Sequence, residues 1–347
     1  MKNYSLEYIA EHIGANVVYA QNNADKNCRI NSISTLNMAK NGQIAFLANS
    51  KYSDQLKSTK ASAVIISSDN TNECHTHALV LDNPYLGYAL AAQLLDSTPN
   101  PADKIHPSVT IDSTATIGEN VTLGANVVIE AGVVISNNVS VGAGCFIGVN
   151  ARIGEGTKLW ANNTIYHQVK IGKHCLIQAN TVIGADGFGY ANDKGKWIKI
   201  PQLGTVIIGD NVEIGASTTI DRGALENTVI HDGVIIDNQI QIAHNVEMGE
   251  NTAMAACSVI AGSTRIGKNC VIAGLVGITG HVEINDGCHF TGMTMVSKSI
   301  NKPGVYSSGM PALPNNAWHK SNARIRKLDT LIKRIKALEV EISSLQK

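Results

Sequence analysis

Aromatic side chains are scarce in this chain, 5% of 347 residues, and charged ones make up only 16%, against about a quarter in ordinary globular proteins. Lys plus Arg and Asp plus Glu both number 28, so net charge gives no argument for nucleic acid or for an anionic membrane surface. Nowhere do 18 apolar residues run together, which excludes a transmembrane helix. The opening Met1-Lys2-Asn3-Tyr4-Ser5-Leu6-Glu7 lacks the apolar core of a secretion signal, and a cytoplasmic location is expected. Seven cysteines (28, 74, 145, 175, 257, 270 and 288) include no Cys-x-x-Cys pair. That pattern speaks for reduced, mostly buried thiols over a disulfide framework or a zinc site.

What the chain has instead is a beat of six. From Ile105 an aliphatic residue returns as Ile111, Ile117, Leu123, Ile129, Ile135, Val141, Ile147 and onward to Ile183. The beat resumes at Ile208, Ile214 and Ile220, and again from Ile230 to Val296. A period of six is neither helical nor simple strand alternation. It is the hexapeptide signature of a parallel β-helix, each repeat forming one flat side of a prism. The expected fold is a left-handed parallel β-helix with an N-terminal small α/β domain and a C-terminal α-helical extension. The expected boundaries are residues 1–100, 101–303 and 304–347.

Residues 1–100 lack the beat. Ser5 ahead of Tyr8, Ile9 and Ile13 predicts a capped short helix. Ala63-Val64-Ile65-Ile66-Ser67 and Ala78-Leu79-Val80-Leu81 predict covered strands, and Pro84 starts a second helix. Between them, Phe46 and Tyr52 flank Asn49 and Lys51. Aromatic faces with an amide and an ammonium suit a nucleotide base, although a core Phe and a helix-starting Tyr explain the same residues. After the prism, Leu328, Leu331, Ile335, Leu338, Ile342 and Leu345 form a short heptad seam that needs neighbouring chains. The other helix faces carry Arg324, Arg326 and Lys327 among several basic residues. They are either a solvated surface or a docking surface for an acidic partner.

The beat breaks twice. Residues 184–207 form an extruded, Gly-rich loop, and four extra residues lie around Asp221-Arg222-Gly223-Ala224; loops on rigid scaffolds tend to carry function. Substrate and neighbouring chains are expected to enter at these two places. If three sides make one coil, positions 18 apart stack, so His244, Gly262 and Gly280 form one column. His281 lies beside its top, about 10 Å from His244 by rung spacing. Two glycines over a histidine clear a slot for an extended thioester arm. The imidazole can take a proton from an attacking amine, and a glycine N–H can stabilise an oxyanion. Metal is the competing reading, since trimeric prisms such as the gamma-class carbonic anhydrases present histidines from two chains to zinc. The His-x-x-x-x-His spacing of those enzymes is absent here, and no third ligand is evident. Cys257 has no partner base and is expected to pack.

With these residues in view the chain resembles the bacterial UDP-3-O-(3-hydroxyacyl)glucosamine N-acyltransferases of lipid A synthesis. The matching stretches are Gly187-Phe188-Gly189-Tyr190, Thr219-Ile220-Asp221-Arg222-Gly223 and Asp237-Asn238-Gln239-Ile240-Gln241-Ile242-Ala243-His244-Asn245. They continue with Gly280-His281-Val282-Glu283-Ile284 and Gly304-Val305-Tyr306-Ser307-Ser308-Gly309. The resemblance implies His244 as general base, Asp237 orienting it, His281 assisting, and Gly262 as oxyanion donor. It implies uracil binding by Phe46, Asn49 and Tyr52, with Lys51 a phosphate contact, and places Gln241, Gly280 and Met295 along the substrate groove. No metal or separate cofactor is implied, since 4′-phosphopantetheine enters with the acyl carrier protein donor. That acidic protein would meet Arg324, Arg326 and Lys327, and the assembly would be a homotrimer. Three rivals stand beside this reading: a sugar-nucleotide O-acyltransferase, an acetyl-CoA-dependent N-acetyltransferase, and a β-helical scaffold without activity.

Overall fold

The computed structural model describes residues 2–20, 25 and 27–345. The chain divides into two compact units, Met1–Pro99 and Asn100–Lys347. In the first, the Ser5 hydroxyl accepts the Tyr8 N–H and starts helix α1 (Leu6–Ile13), which Gly14 ends at a φ of 69°. That left-handed conformation suits glycine. Helix α2 (Pro84–Leu95) begins with the Asn83 side chain accepting the Leu86 N–H. A five-stranded sheet runs in the order Asn16–Val18, His77–Val80, Ala63–Ile66, Gln43–Phe46, Ser32–Ile33. Leu6, Ile9 and Ile13 of α1 and Ala91 and Leu95 of α2 pack with Ile44, Ile65 and Leu79 on one face. Leu36, Leu47 and Leu56 pack with Ala45, Val64 and Ile66 on the other. Burial on both sides is why the Ala63–Ile66 strand is apolar at every position rather than alternating.

The second unit is built on three parallel sheets of 10, 10 and 9 strands, most strands only two residues long. Each beat residue rests on the one a coil below: Ile129 on Ile147, Ile147 on Ile165, Ile165 on Ile183. All four are essentially without solvent contact, each burial contributing about 1.5–3 kcal/mol. The stacking crosses both interruptions intact, with Ile183 on Ile220 and Ile220 on Ile242. Most corners between sides take a left-handed residue, and Asn fills many of them, as at Asn126, Asn138, Asn150, Asn162 and Asn180, with φ of 58–62°. Its short polar side chain is among the few that tolerate this conformation. Buried threonines inside the prism find backbone partners. Thr252 Oγ1 donates to the Gly267 carbonyl at 2.9 Å and accepts the Cys270 N–H at 3.0 Å.

The prism extends past residue 303, because Gly304–Tyr306 adds a further parallel strand beside Cys288–Phe290. The terminal helix is two helices, α3 (Asn315–Ile325) and α4 (Leu328–Leu345), and the seam from Leu328 to Leu345 is exposed within the single chain. Cys145, Cys175, Cys270 and Cys288 are buried, and burial pushes the Cys145 thiol up to about 11. Cys257 is a correction: rather than packing inward it is exposed on a corner at φ 61°, where its side chain points away from the core. Among the described residues no helix is long and apolar enough to cross a membrane.

The stacked column predicts a contrast in stability. Ile147→Ala should lower unfolding free energy in urea by about 2–5 kcal/mol, whereas Arg152→Ala, on an outward position of a neighbouring side, should stay within about 0.5 kcal/mol.

Candidate active site

Both interruptions of the beat converge on His244. It stands two residues after Ile242, at the corner beyond the strand Gln241–Ile242. The extruded loop returns over it, since a Cβ on Gly187 would lie 2.8 Å from His244 Cβ and 3.1 Å from Cδ2. From the next coil, a Cβ on Gly262 would lie 2.7 Å from both Cε1 and Nε2. The imidazole is thus held between two glycines, and a side chain at either would displace it.

The glycine column has a second effect. At several places in the prism, the N–H two residues past the beat is capped by an Asx side chain one coil on. Glu119 donates to Asn137 at 2.8 Å, Lys173 to Asp210 at 2.7 Å, Ala216 to Asn238 at 2.7 Å and Lys268 to Asp286 at 2.8 Å. Above His244 the equivalent positions are Gly262 and Gly280, which have no side chain to offer. The N–H groups of His244, Gly262 and Gly280 make no hydrogen bond among the described residues. Three adjacent amide donors are left open along one line, spaced by about 4.8 Å per rung. The Gly262 carbonyl accepts the His281 N–H at 3.1 Å and the His244 carbonyl accepts the Ser263 N–H at 2.9 Å. Those bonds hold the line in place.

His281 is an exposed corner residue at φ 58°. It stacks above Ser263 and Asn245, one position around from the His244 column, and makes no hydrogen bond to His244 among the described residues. The expected pairing of Asp237 with His244 is absent from the chain's geometry. One Asp237 oxygen accepts the backbone and side-chain N–H groups of Asn238, at 2.7 and 2.8 Å, and the other accepts the Ala256 N–H at 3.1 Å. The reason is periodic: six residues carry the chain around one corner, so Asp237 caps the corner before the side that carries His244.

The carboxylate that does reach His244 electrostatically is Asp221, from the second interruption. Burial raises its pKa, while a 2.8 Å hydrogen bond from Gln241 Nε2 and the His244 charge act in the opposite direction. Gln241 in turn accepts from the Thr219 hydroxyl. Arg222 beside it is 1% exposed and ties the interruptions together. Its Nε donates to the Gly204 carbonyl at 2.9 Å and another nitrogen to the His167 carbonyl at 3.0 Å, and it meets the His167 ring. Burial, then the guanidinium, lowers the His167 pKa. Met295 shares the outward column of Gln241, Val259 and Gly277, about 14 Å along the axis from Gln241 by rung spacing, and is 71% exposed.

In the first unit, Phe46, Asn49 and Tyr52 line one cavity of about 500 Å³. Thr35, Asn37 and Tyr85 line it too, and Tyr88 stacks on Phe46 at 3.9 Å between centroids. The Asn49 oxygen caps the following turn by accepting the Lys51 N–H at 3.0 Å, which leaves its amide nitrogen as the available donor. Lys51 is exposed and does not line this cavity. Arg324 lies in the last turn of α3, and Arg326 and Lys327 lie between the terminal helices, all exposed.

A family model described as UDP-3-O-(3-hydroxymyristoyl) glucosamine N-acyltransferase matches residues 27–94. A bacterial transferase hexapeptide model matches residues 104–137, 150–185 and 227–262. A UDP-3-O-acylglucosamine N-acyltransferase of Colwellia psychrerythraea is 62% identical over 97% of this chain and 98% of its own length. Enzymes of the same name from Pseudoalteromonas atlantica and Pseudoalteromonas translucida are 58% and 55% identical, over 96% and 98% of this chain and 97% and 98% of their own lengths. The chain belongs to the UDP-3-O-acylglucosamine N-acyltransferase family. It is an acyltransferase, and the near full-length match, first unit included, decides against the O-acyl, acetyl-CoA and scaffold readings.

Asp221, Gly187 and Asn245 carry site geometry that motif reading did not assign. The available signal was the break in the beat, which marked Asp221 and Gly187 as irregular without saying what they approach. Gly262→Ala tests the sandwich around the imidazole. It should lower kcat by roughly 10²-fold, the scale of a misplacement near 1 Å, while the thermal melting curve stays close to that of the parent.

Proposed function

We propose that His244 is the general base of a direct acyl transfer. The 2-amine of a UDP-3-O-acylglucosamine attacks the (R)-3-hydroxyacyl thioester of acyl carrier protein. The C–N bond forms first, giving a tetrahedral intermediate whose collapse breaks the C–S bond. The amine proton goes to the imidazole and then to the leaving thiolate, so neither a metal nor an acyl-enzyme is needed. The product is a UDP-2,3-diacylglucosamine of lipid A synthesis, made in the cytoplasm.

The observation that carries this reading is the register of His244 with Gly262 and Gly280. An imidazole, the side chain best suited to general-base work, stands beside amide donors left open by the same glycines. The Gly262 N–H stabilises the oxyanion of the tetrahedral intermediate, where a preorganised donor is worth most. Gly280 clears the slot above it, and His281 assists from the neighbouring column. Gln241 and Met295 lie along the acyl groove. Asp221 faces the imidazolium with negative charge, the role first expected of Asp237. Uracil binds in the first unit against Phe46 and Tyr52, with the Asn49 amide nitrogen donating and Lys51 meeting phosphate. The 4′-phosphopantetheine arm arrives with its carrier protein, whose acidic surface suits Arg324, Arg326 and Lys327. The exposed seam of α4 fits a homotrimer.

His244→Ala should cut turnover by about 10²–10⁴-fold, the usual worth of general-base catalysis, while UDP-sugar binding measured by calorimetry is kept. Turnover within tenfold of the parent, with long-chain 3-hydroxyacyl carrier protein as donor, would sink His244 as the base.

Asp221 gives a prediction with a sign. Its folded pKa lies above the unfolded value, so the ionised carboxylate costs stability. That cost is absent below the ordinary carboxylate range and grows as pH rises through the folded pKa. Asp221→Asn should therefore leave stability at pH 7 equal or higher, with a flatter dependence on pH, in denaturant titrations. The same variant should lose activity, because the imidazolium formed during the reaction loses a nearby negative charge.

A further inference from the structure

The base reading leaves open which ring nitrogen of His244 holds the lone pair. A neutral imidazole has one N–H and one lone pair, and the partner of one nitrogen decides the state of the other. Nδ1 lies 3.1 Å from Asn245 Oδ1. Amide oxygen and nitrogen are interchangeable in outline, so the assignment depends on what else the amide touches. Here both ends are fixed by backbone. Asn245 Oδ1 accepts the Ala224 N–H at 3.0 Å, and Asn245 Nδ2 donates to the Glu226 carbonyl at 3.1 Å. Turning the amide over would set donor against donor and acceptor against acceptor at once. The atom facing Nδ1 is therefore the oxygen, which can only accept, and Nδ1 must carry the hydrogen.

The rest of Asn245 is fixed as well. Its backbone N–H donates to Thr228 Oγ1 at 2.9 Å, and it occupies a left-handed corner at φ 60°. The partners Ala224 and Glu226 belong to the lengthened segment between Ile220 and Ile230, the second interruption of the beat. Their path over Asn245 needs Gly223, where a Cβ would lie 1.6 Å from the Glu226 carbonyl oxygen and 3.0 Å from Asn245 Nδ2. An uninterrupted hexapeptide corner supplies neither partner.

Resting on His244 as base, we propose that Asn245 is a positioning residue that holds the imidazole as the Nδ1–H tautomer, with Nε2 as the basic atom. The second interruption is the device that fixes the Asn245 amide in the required sense. Nε2 then lies on the ring edge nearest Gly262, beside the open amide donors. The proton it gains leaves the Nδ1–H bond to Asn245 unbroken, so no rearrangement intervenes between attack and departure of the thiol.

The test uses the full-length protein labelled with 15N-histidine, the His244 ring signals being assigned by their loss in His244→Ala. Long-range 1H–15N correlation should show Nδ1 protonated and Nε2 bare above the imidazole pKa. Asn245→Leu removes the acceptor at a corner type that Leu275 already occupies at φ 62°. It should shift the ring toward the Nε2–H form and lower kcat roughly 10- to 100-fold, as loss of an orienting partner commonly does, with KM for the UDP-sugar within about twofold. Asn245→Asp keeps the acceptor and adds charge beside the ring, where Asp221 is the carboxylate already in reach. It should keep the Nδ1–H form and move the acid limb of kcat to higher pH. An Nε2–H ring in the parent protein overturns the proposal, as does an Asn245→Leu protein with unchanged tautomer and kcat. Should Asn245→Leu fail to fold, the parent spectrum and the Asn245→Asp profile decide. If His244→Ala stays active while the tautomer is as stated, the base reading fails and the tautomer assignment does not.

Discussion

The vertical stacking of one aliphatic side chain on the next, coil upon coil, is the constraint on which everything else in the second unit depends. It goes with short strands, a turn after each and, at most corners, a left-handed residue, which is why Asn recurs there. It also survives both interruptions, because Ile183, Ile220 and Ile242 stay in one column while the outer chain departs from it. The protein can therefore insert irregular backbone on its surface without disturbing the core that supports it. Loops held this rigidly at both ends are suited to carrying precise geometry.

The site is made largely by omission. At several corners of the prism, Asx side chains close the exposed amides of the coil below; above His244, two glycines have no side chain with which to close them. The same glycines give the imidazole its space, so open donor groups and base lie together in one column. The interruptions add what regular coils cannot. One brings Gly187 onto the ring, the other brings Asp221 into electrostatic reach and turns backbone toward Asn245, and buried Arg222 holds the two together. A buried guanidinium is costly unless its donors are met, and carbonyls of Gly204 and His167 meet them.

Much of this was legible beforehand because the period of six converts sequence separation directly into position. Counting in coils of 18 put His244, Gly262 and Gly280 in one column, and the structure has them so. The same arithmetic puts Asp237 a corner away within the chain; its reading as the partner of His244 came from the family resemblance, not from the register. Cys257 was misjudged for a related reason, since a corner residue faces out whatever its hydrophobicity. In the first unit, Phe46, Asn49 and Tyr52 do share a cavity, but Tyr85 and Tyr88 come from a distant helix and no local pattern connected them.

By itself, then, the sequence determined the prism, its register and the column that carries the base, because each follows from a strict repeat with one solution for burying its aliphatics. Only the tertiary structure decided which carboxylate reaches His244, which way the Asn245 amide faces and what the two interruptions are for. These depend on contacts between irregular segments, whose paths obey no period and are set by the backbone groups they happen to meet.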